Sequence, residues 1–251
     1  MQPRSSRERW SDHGRLLARG LGQTLLTVGV VVLLFAVYQV WFTGVMNSYR
    51  QSQLTNALTE QWDRGADPLA ADSGSLPTPP IGSGVALIRI PALGSDYVKV
   101  IVEGTTQDAL TDGPGHYVGS ARPGEVGNFA VAGHRGGYGS PFDDLDKLVA
   151  GDAIVIETRS DYFVYRVLGD RATGDPTVRD QEGLPGREVV DASRIDVVLP
   201  VPSRPGELPT RRLLTLTTCQ ERYFTLDRMI IHAEMVGDPR PKANGLPEEL
   251  R

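Results

Sequence analysis

Hydrophobic and polar positions divide this chain into stretches that ask for different structures. From Gly20 to Tyr49 no side chain is charged, and Leu25, Leu26, Val28, the run 30–35 and Val37 dominate that gap. A helix needs about 20 such residues to cross roughly 30 Å of hydrocarbon. Residues 21–43 are therefore predicted to span a membrane, with Tyr38, Trp41 and Phe42 at the outer interface. Residues 44–84 read as a stalk, helical over 48–62 and then a linker rich in Pro, Gly and Ser with nothing that must be buried. From Val85 the pattern changes to short apolar runs between turn signals. Candidate strands are 85–90, 98–102, 128–132, 153–157, 162–168, 196–199, 212–217 and 229–235. Short strands with uneven loops predict an all-β domain over 85–236, mainly β with short helices near 106–110 and 143–148, as a closed or nearly closed barrel. Residues 237–251 are left as a tail.

Charge orients the first of these stretches. Residues 1–20 carry Arg4, Arg7, Arg9, Arg15 and Arg19 against Glu8 and Asp12. The positive-inside rule puts this basic segment in the cytoplasm and everything after Thr43 outside. A cleaved signal peptide also has a basic start, but its apolar run is usually about 7–15 residues and ends at an Ala-x-Ala site. Neither feature fits, so an uncleaved single-pass anchor is expected. The net charge of -5 over 251 residues gives no electrostatic footprint for nucleic acid.

The candidate chemistry sits at predicted strand ends. Cys219 is the one cysteine, so no disulfide forms within the chain. It follows Thr215-Leu216-Thr217-Thr218, where an apolar strand runs into the polar Gln220-Glu221-Arg222. A lone cysteine is often a small buried hydrophobe. Two partners favour a reactive reading. Arg228 opens the next strand, nine positions on, and a hairpin would return it to the same rim, where it could hold an oxyanion. His134 ends the strand 128–132 and enters the glycine-rich Gly136-Gly137-Tyr138-Gly139. A cysteine, a histidine and an arginine at strand ends are the parts of a cysteine acyl-transfer site.

These residues resemble the sortases, cysteine transpeptidases of the Gram-positive cell surface. Thr215 to Cys219 is similar to the family's Thr-Leu-x-Thr-Cys signature, with Arg228 and His134 at the positions of its catalytic arginine and histidine. The loop from Gly133 through Phe142 looks most like class E sortases of actinobacteria. The resemblance covers about 85–236 and implies an eight-stranded β-barrel and no cofactor. It also implies cleavage of a sorting signal between Thr and Gly through a Cys219 thioester. Expected partners are surface proteins bearing such a signal, a lipid II-type peptidoglycan precursor amine, and the plasma membrane. Class E members prefer Leu-Ala-x-Thr-Gly, and Tyr138 is a candidate reader of that difference, with Thr217, Thr218 and Arg222 as further groove residues.

Other features have plainer readings. Asp143, Asp144 and Asp146 fit the first turn of a helix, where carboxylates complement the dipole, better than a calcium loop. His116 and His232 read as structural, and four scattered histidines with one cysteine give no metal-ligand spacing. Asp67-Pro68 shares two letters with the lid motif of pilin-polymerising class C sortases but lacks the following aromatic. A papain-like hydrolase is disfavoured because its cysteine precedes its histidine, whereas His134 precedes Cys219 here. A non-catalytic anchored surface module would treat Cys219 as core.

Overall fold

The structure, a computed structural model, describes residues 6–69, 79–136, 139–220 and 226–251. The chain forms two compact units, Met1–Met46 and Asn47–Arg251. The first is described as part of one helix, α1 (Ser6–Asp63). Its window Arg19–Ala36 has mean hydropathy 1.7, and Leu21, Leu25, Leu33 and Phe35 all stand exposed. Uncovered apolar side chains around a helix suit a lipid environment, and this single apolar helix supports membrane anchoring. The side chains of Trp41 and Phe42 lie outside the described residues, as do linker residues 70–78.

Among the described residues the second unit has ten strands: β1 (Gly84–Arg89), β2 (Val98–Glu103), β3 (Gly115–His116), β4 (Gly127–Ala132), β5 (Ala153–Glu157), β6 (Asp161–Val167), β7 (Arg187–Asp191), β8 (Arg212–Cys219), β9 (Asp227–Met235) and β10 (Arg240–Pro241). Neighbours run β6-β5-β1-β2-β3-β4-β8-β9, and β9 pairs back to β6 from Tyr165↔Met235 to Val167↔Ala233. Eight strands thus close the predicted barrel, while β7 and β10 lie outside the ring, on β9 and β6. The period of two along each strand fills the interior, with Phe129 and Val131 of β4, Leu214 and Leu216 of β8, and Met229 and Ile231 of β9 in one core.

Seven of the eight candidate strands lie in the ring. The segment 196–199 instead forms the 3-10 helix Ile195–Val198. The Asn128 side-chain amide donates to the carbonyls of Val197 and Leu199, and Val197 packs with Val190 and Ile230. Backbone polarity and the apolar run are both satisfied there without a ladder. The eighth ring strand is β3, whose Gly-Pro-Gly context reads as a turn. It lies so close to the residue that follows β2 that a Cβ on Gly115 would come 2.2 Å from the Gly104 carbonyl oxygen. Of the two expected short helices, one is α2 (Gln107–Asp112), with the Thr106 hydroxyl accepting from the Ala109 N–H, and the other is the 3-10 helix Leu145–Lys147.

The stalk is helical over 48–62 as expected, and this helix packs against the barrel, which the sequence reading did not anticipate. Gln51, Leu54, Leu58 and Trp62 recur every three or four residues, the spacing of one helical stripe. Leu58 and Trp62 are buried with Leu87 and Val100, and the Gln51 side chain accepts from the Val100 N–H at 2.9 Å. Lys242 lies 4.6 Å over the Trp62 ring and pairs with Glu157 at 2.6 Å, joining the C-terminal segment to the same face. Leu69 reaches the main core, and Asp67 faces Arg159 of the β5–β6 turn. The stalk therefore does have side chains to bury. A fragment spanning 85–236 is expected to denature in urea at a lower midpoint than one spanning 47–251. In the longer fragment Leu58→Ala should cost about 2–5 kcal/mol. Equal midpoints for the two fragments would mean that helix and tail contribute nothing.

Candidate active site

Strand β8 sets the site because both of its neighbours are registered to it. Leu214 and Leu216 point into the core, so Thr215, Thr217 and Cys219 point out, and Cys219 ends the strand half-buried. Along the antiparallel β8–β9 ladder Cys219 lies opposite Arg228. Directly opposed residues share a face with Cβ atoms about 4.5–5.5 Å apart. One rung further, the Gln220 N–H donates to the Asp227 carbonyl at 3.1 Å.

On its other side β8 pairs in parallel with β4, from Gly127↔Arg212 to Ala132↔Thr217. The Gly133 N–H then donates to the Thr217 carbonyl at 3.0 Å, and the Thr218 hydroxyl donates to the Gly133 carbonyl at 2.8 Å. The same register carried onward brings His134 level with Cys219. Gly133 has to be glycine, since a Cβ there would come 2.4 Å from the buried Phe142 ring. The Phe142 N–H in turn donates to the His134 carbonyl at 3.1 Å. Strand register thus directs three chain segments toward one rim.

The imidazole of His134 is half-buried, and that burial holds its pKa below the ordinary 6.5 by penalising the imidazolium. Its Nε2 lies 3.4 Å from the side-chain nitrogen of Gln107, at the start of α2. Arg135, the next residue, carries a guanidinium with side-chain exposure of only 11%. It donates to the Gln220 carbonyl, to the Asp143 carbonyl at 3.2 Å and to the Asp146 carboxylate at 2.9 Å. Sequence reasoning passed over Arg135 and Gln107. An arginine beside the histidine, with an acidic cluster within a dozen positions, was the available signal for the first.

The remaining candidates fall differently. Thr217 shares the outward face of Cys219 but is buried, its hydroxyl 2.9 Å from that of Tyr117. Thr218 is buried and donates its hydroxyl to the Gly133 carbonyl. Tyr138 and Arg222 lie outside the described residues. His116 is buried between Glu103 and Ser120, at 2.9 Å from each, and His232 contacts Thr215 at 2.9 Å. Asp146 pairs with Arg135, and Asp144 pairs with Lys147 at 3.0 Å. A cleft of about 360 Å³ lies between residues 179–188 and 200–213, at the start of β8. Six strand residues, about 20 Å, separate its Leu213 from Cys219, so it is not part of this rim.

A family model described as a sortase domain matches residues 88–236. The chain is similar to Sortase SrtE1 of Streptomyces coelicolor, with 34% identity over 254 residues, covering 98% of this chain and 65% of that relative. Among solved structures, Sortase E1 from Streptomyces coelicolor with a tripeptide in its active site is 35% identical, with a TM-score of 0.56 over 68% of this chain and 98% of that one. The SrtF sortase from Corynebacterium diphtheriae is 34% identical, with a TM-score of 0.62 over 72% of this chain and 98% of that one.

Because burial depresses the His134 pKa, the unfolded chain binds more protons than the folded one between the two values. The folded state's advantage is complete above pH 6.5 and is lost as the pH falls below it toward the folded pKa. The His134 imidazole resonances should therefore titrate with a midpoint below 6.5, and His134→Gln should flatten this part of the stability profile. A midpoint at or above 6.5 would contradict the burial argument.

Proposed function

The chain belongs to the sortase family and resembles its class E members, and we propose that it is a membrane-anchored cysteine transpeptidase. It would cleave a Leu-Ala/Pro-x-Thr-Gly sorting signal and pass the freed threonyl carbonyl to an amine of a peptidoglycan precursor. The observation that carries this reading is the register that opposes Cys219 to Arg228 and brings His134 to the same rim.

The chemistry follows from those positions. Partial burial favours the neutral form of the His134 imidazole, which can take the proton of the Cys219 thiol. The thiolate sulfur attacks the threonyl carbonyl carbon, and the carbonyl electron pair moves onto oxygen, where the Arg228 guanidinium stabilises it. Collapse breaks the Thr–Gly bond as the His134 imidazolium protonates the departing glycine amine, leaving a thioester on Cys219. In the second half, His134 takes a proton from the incoming amine, which attacks the thioester and expels the thiolate. Placing this chemistry outside the cell is supported by the arginine excess of residues 1–20 and the apolar helix behind it. The catalytic barrel is assigned to 85–236, with 47–62 and 237–251 packed as part of its unit.

Incubating the full chain in detergent with a Leu-Ala-x-Thr-Gly peptide and no amine should build a covalent adduct on Cys219, equal in mass to the peptide cut after threonine. A glycine oligomer or a diaminopimelate-containing stem peptide should discharge it into ligated product. Cys219→Ala should form no adduct, and Arg228→Lys should lower kcat about 10²–10³-fold, since an ammonium cannot replace the planar multi-donor fork at an oxyanion. Rapid hydrolysis without ligation at any amine concentration would point to a protease instead. An unmodified Cys219 with every sorting-signal peptide would favour a non-catalytic surface module.

A further inference from the structure

We infer that Arg135 is a positioning residue, its guanidinium locking the histidine loop to the chain segment that leaves Cys219. The inference rests on the acyl-transfer reading, because it concerns how two groups of that site are held together. Regular pairing of β4 with β8 stops at Ala132↔Thr217, and the Gly133 bonds extend it by one residue. His134 and Cys219 both lie beyond that point. Arg135 follows the histidine directly, and the carbonyl it grips belongs to Gln220, which follows the cysteine directly. Its other two acceptors, the Asp143 carbonyl and the Asp146 carboxylate, come from the far end of the same histidine loop. One largely buried cation therefore closes a bracket around the two residues whose separation decides whether a proton can pass between them.

The chemistry of arginine suits this task. Its donors are fixed in one plane and can serve three acceptors at once, whereas a lysine ammonium on a flexible stem acts as a point charge. Charge-assisted bonds of this kind are short and directional, and Asp146 adds a full negative charge to the two carbonyl acceptors. Because reacting groups must sit within a few tenths of an ångström of their working geometry, loosening the bracket should reduce turnover while leaving peptide binding largely intact.

The test uses the full chain in detergent, with Arg135→Gln, Arg135→Lys, Asp146→Asn and Cys219→Ala. Three readouts are compared: kcat and KM with a Leu-Ala-x-Thr-Gly peptide and triglycine, the pH dependence of Cys219 alkylation by iodoacetamide, and the thermal midpoint. Arg135→Gln is expected to lower kcat about 10–100-fold with KM changed little. It should also erase the inflection in the alkylation profile that reports proton exchange with His134. Arg135→Lys should be impaired to a similar degree, and Asp146→Asn less so but in the same direction. A merely structural arginine would lower the thermal midpoint without moving that inflection. Unchanged kcat and inflection in Arg135→Gln would overturn the assignment, and so would full rescue by Arg135→Lys, which would make charge and not geometry the cause. If Arg135→Gln does not fold, Asp146→Asn decides, and wild-type kcat with a wild-type inflection overturns the assignment. Transfer activity surviving in Cys219→Ala would instead sink the acyl-transfer reading itself, whatever Arg135 does.

Discussion

Everything at this site depends on the double register of β8. The strand is locked in parallel to β4 over six pairs and antiparallel to β9 over seven. A slip of one residue against either neighbour would turn the outward face inward, burying Cys219 where Thr218 now sits or moving Arg228 off its opposite position. The apolar alternation of Leu214 and Leu216 against Thr215 and Thr217 makes such a slip costly, because it would set threonine hydroxyls in the apolar core and strip them of the buried partners Asn128, His232 and Tyr117. Burial on both faces of β8 therefore fixes the placement of the thiol at its end.

Polar contacts then finish what packing begins. Past the last β4–β8 pair the two chain ends are joined by small, directional bonds: Thr218 to the Gly133 carbonyl, and Arg135 to the Gln220 carbonyl. Gly133 is the point where packing and chemistry meet, since the Phe142 ring occupies the space a side chain would need. Burial that serves packing here also lowers the His134 pKa, so the same crowding that positions the imidazole keeps it poised as a base near neutral pH.

Legibility in the sequence followed the strength of local pattern. Seven ring strands could be read because apolar alternation over five or more residues has few competing explanations. β3 could not, since two residues between glycines and a proline carry no periodicity and form a strand only through neighbours brought together by the fold. The run around Val197 misled for the opposite reason, its apolar content serving one packed turn whose carbonyls Asn128 satisfies. The stripe of Gln51, Leu54, Leu58 and Trp62 was present in the stalk but masked by the linker composition after it. Cys219, Arg228 and His134 could be nominated together because each ends or opens a readable strand. Arg135 was not, because its contact with Gln220 spans 85 positions and exists only once two loops fold against each other.

The most direct measurement is an experimental structure of the full chain acylated at Cys219 by a sorting-signal peptide analogue ending in threonine. The register of β8 predicts that the thioester carbonyl oxygen lies within hydrogen-bond distance of the Arg228 guanidinium. It also predicts the His134 imidazole on the side from which the glycine amine has left, within reach of an incoming amine. An acyl oxygen turned away from Arg228, or an imidazole held on the far side of β8, would contradict the central claim that the register of β8 sets where the reacting groups meet.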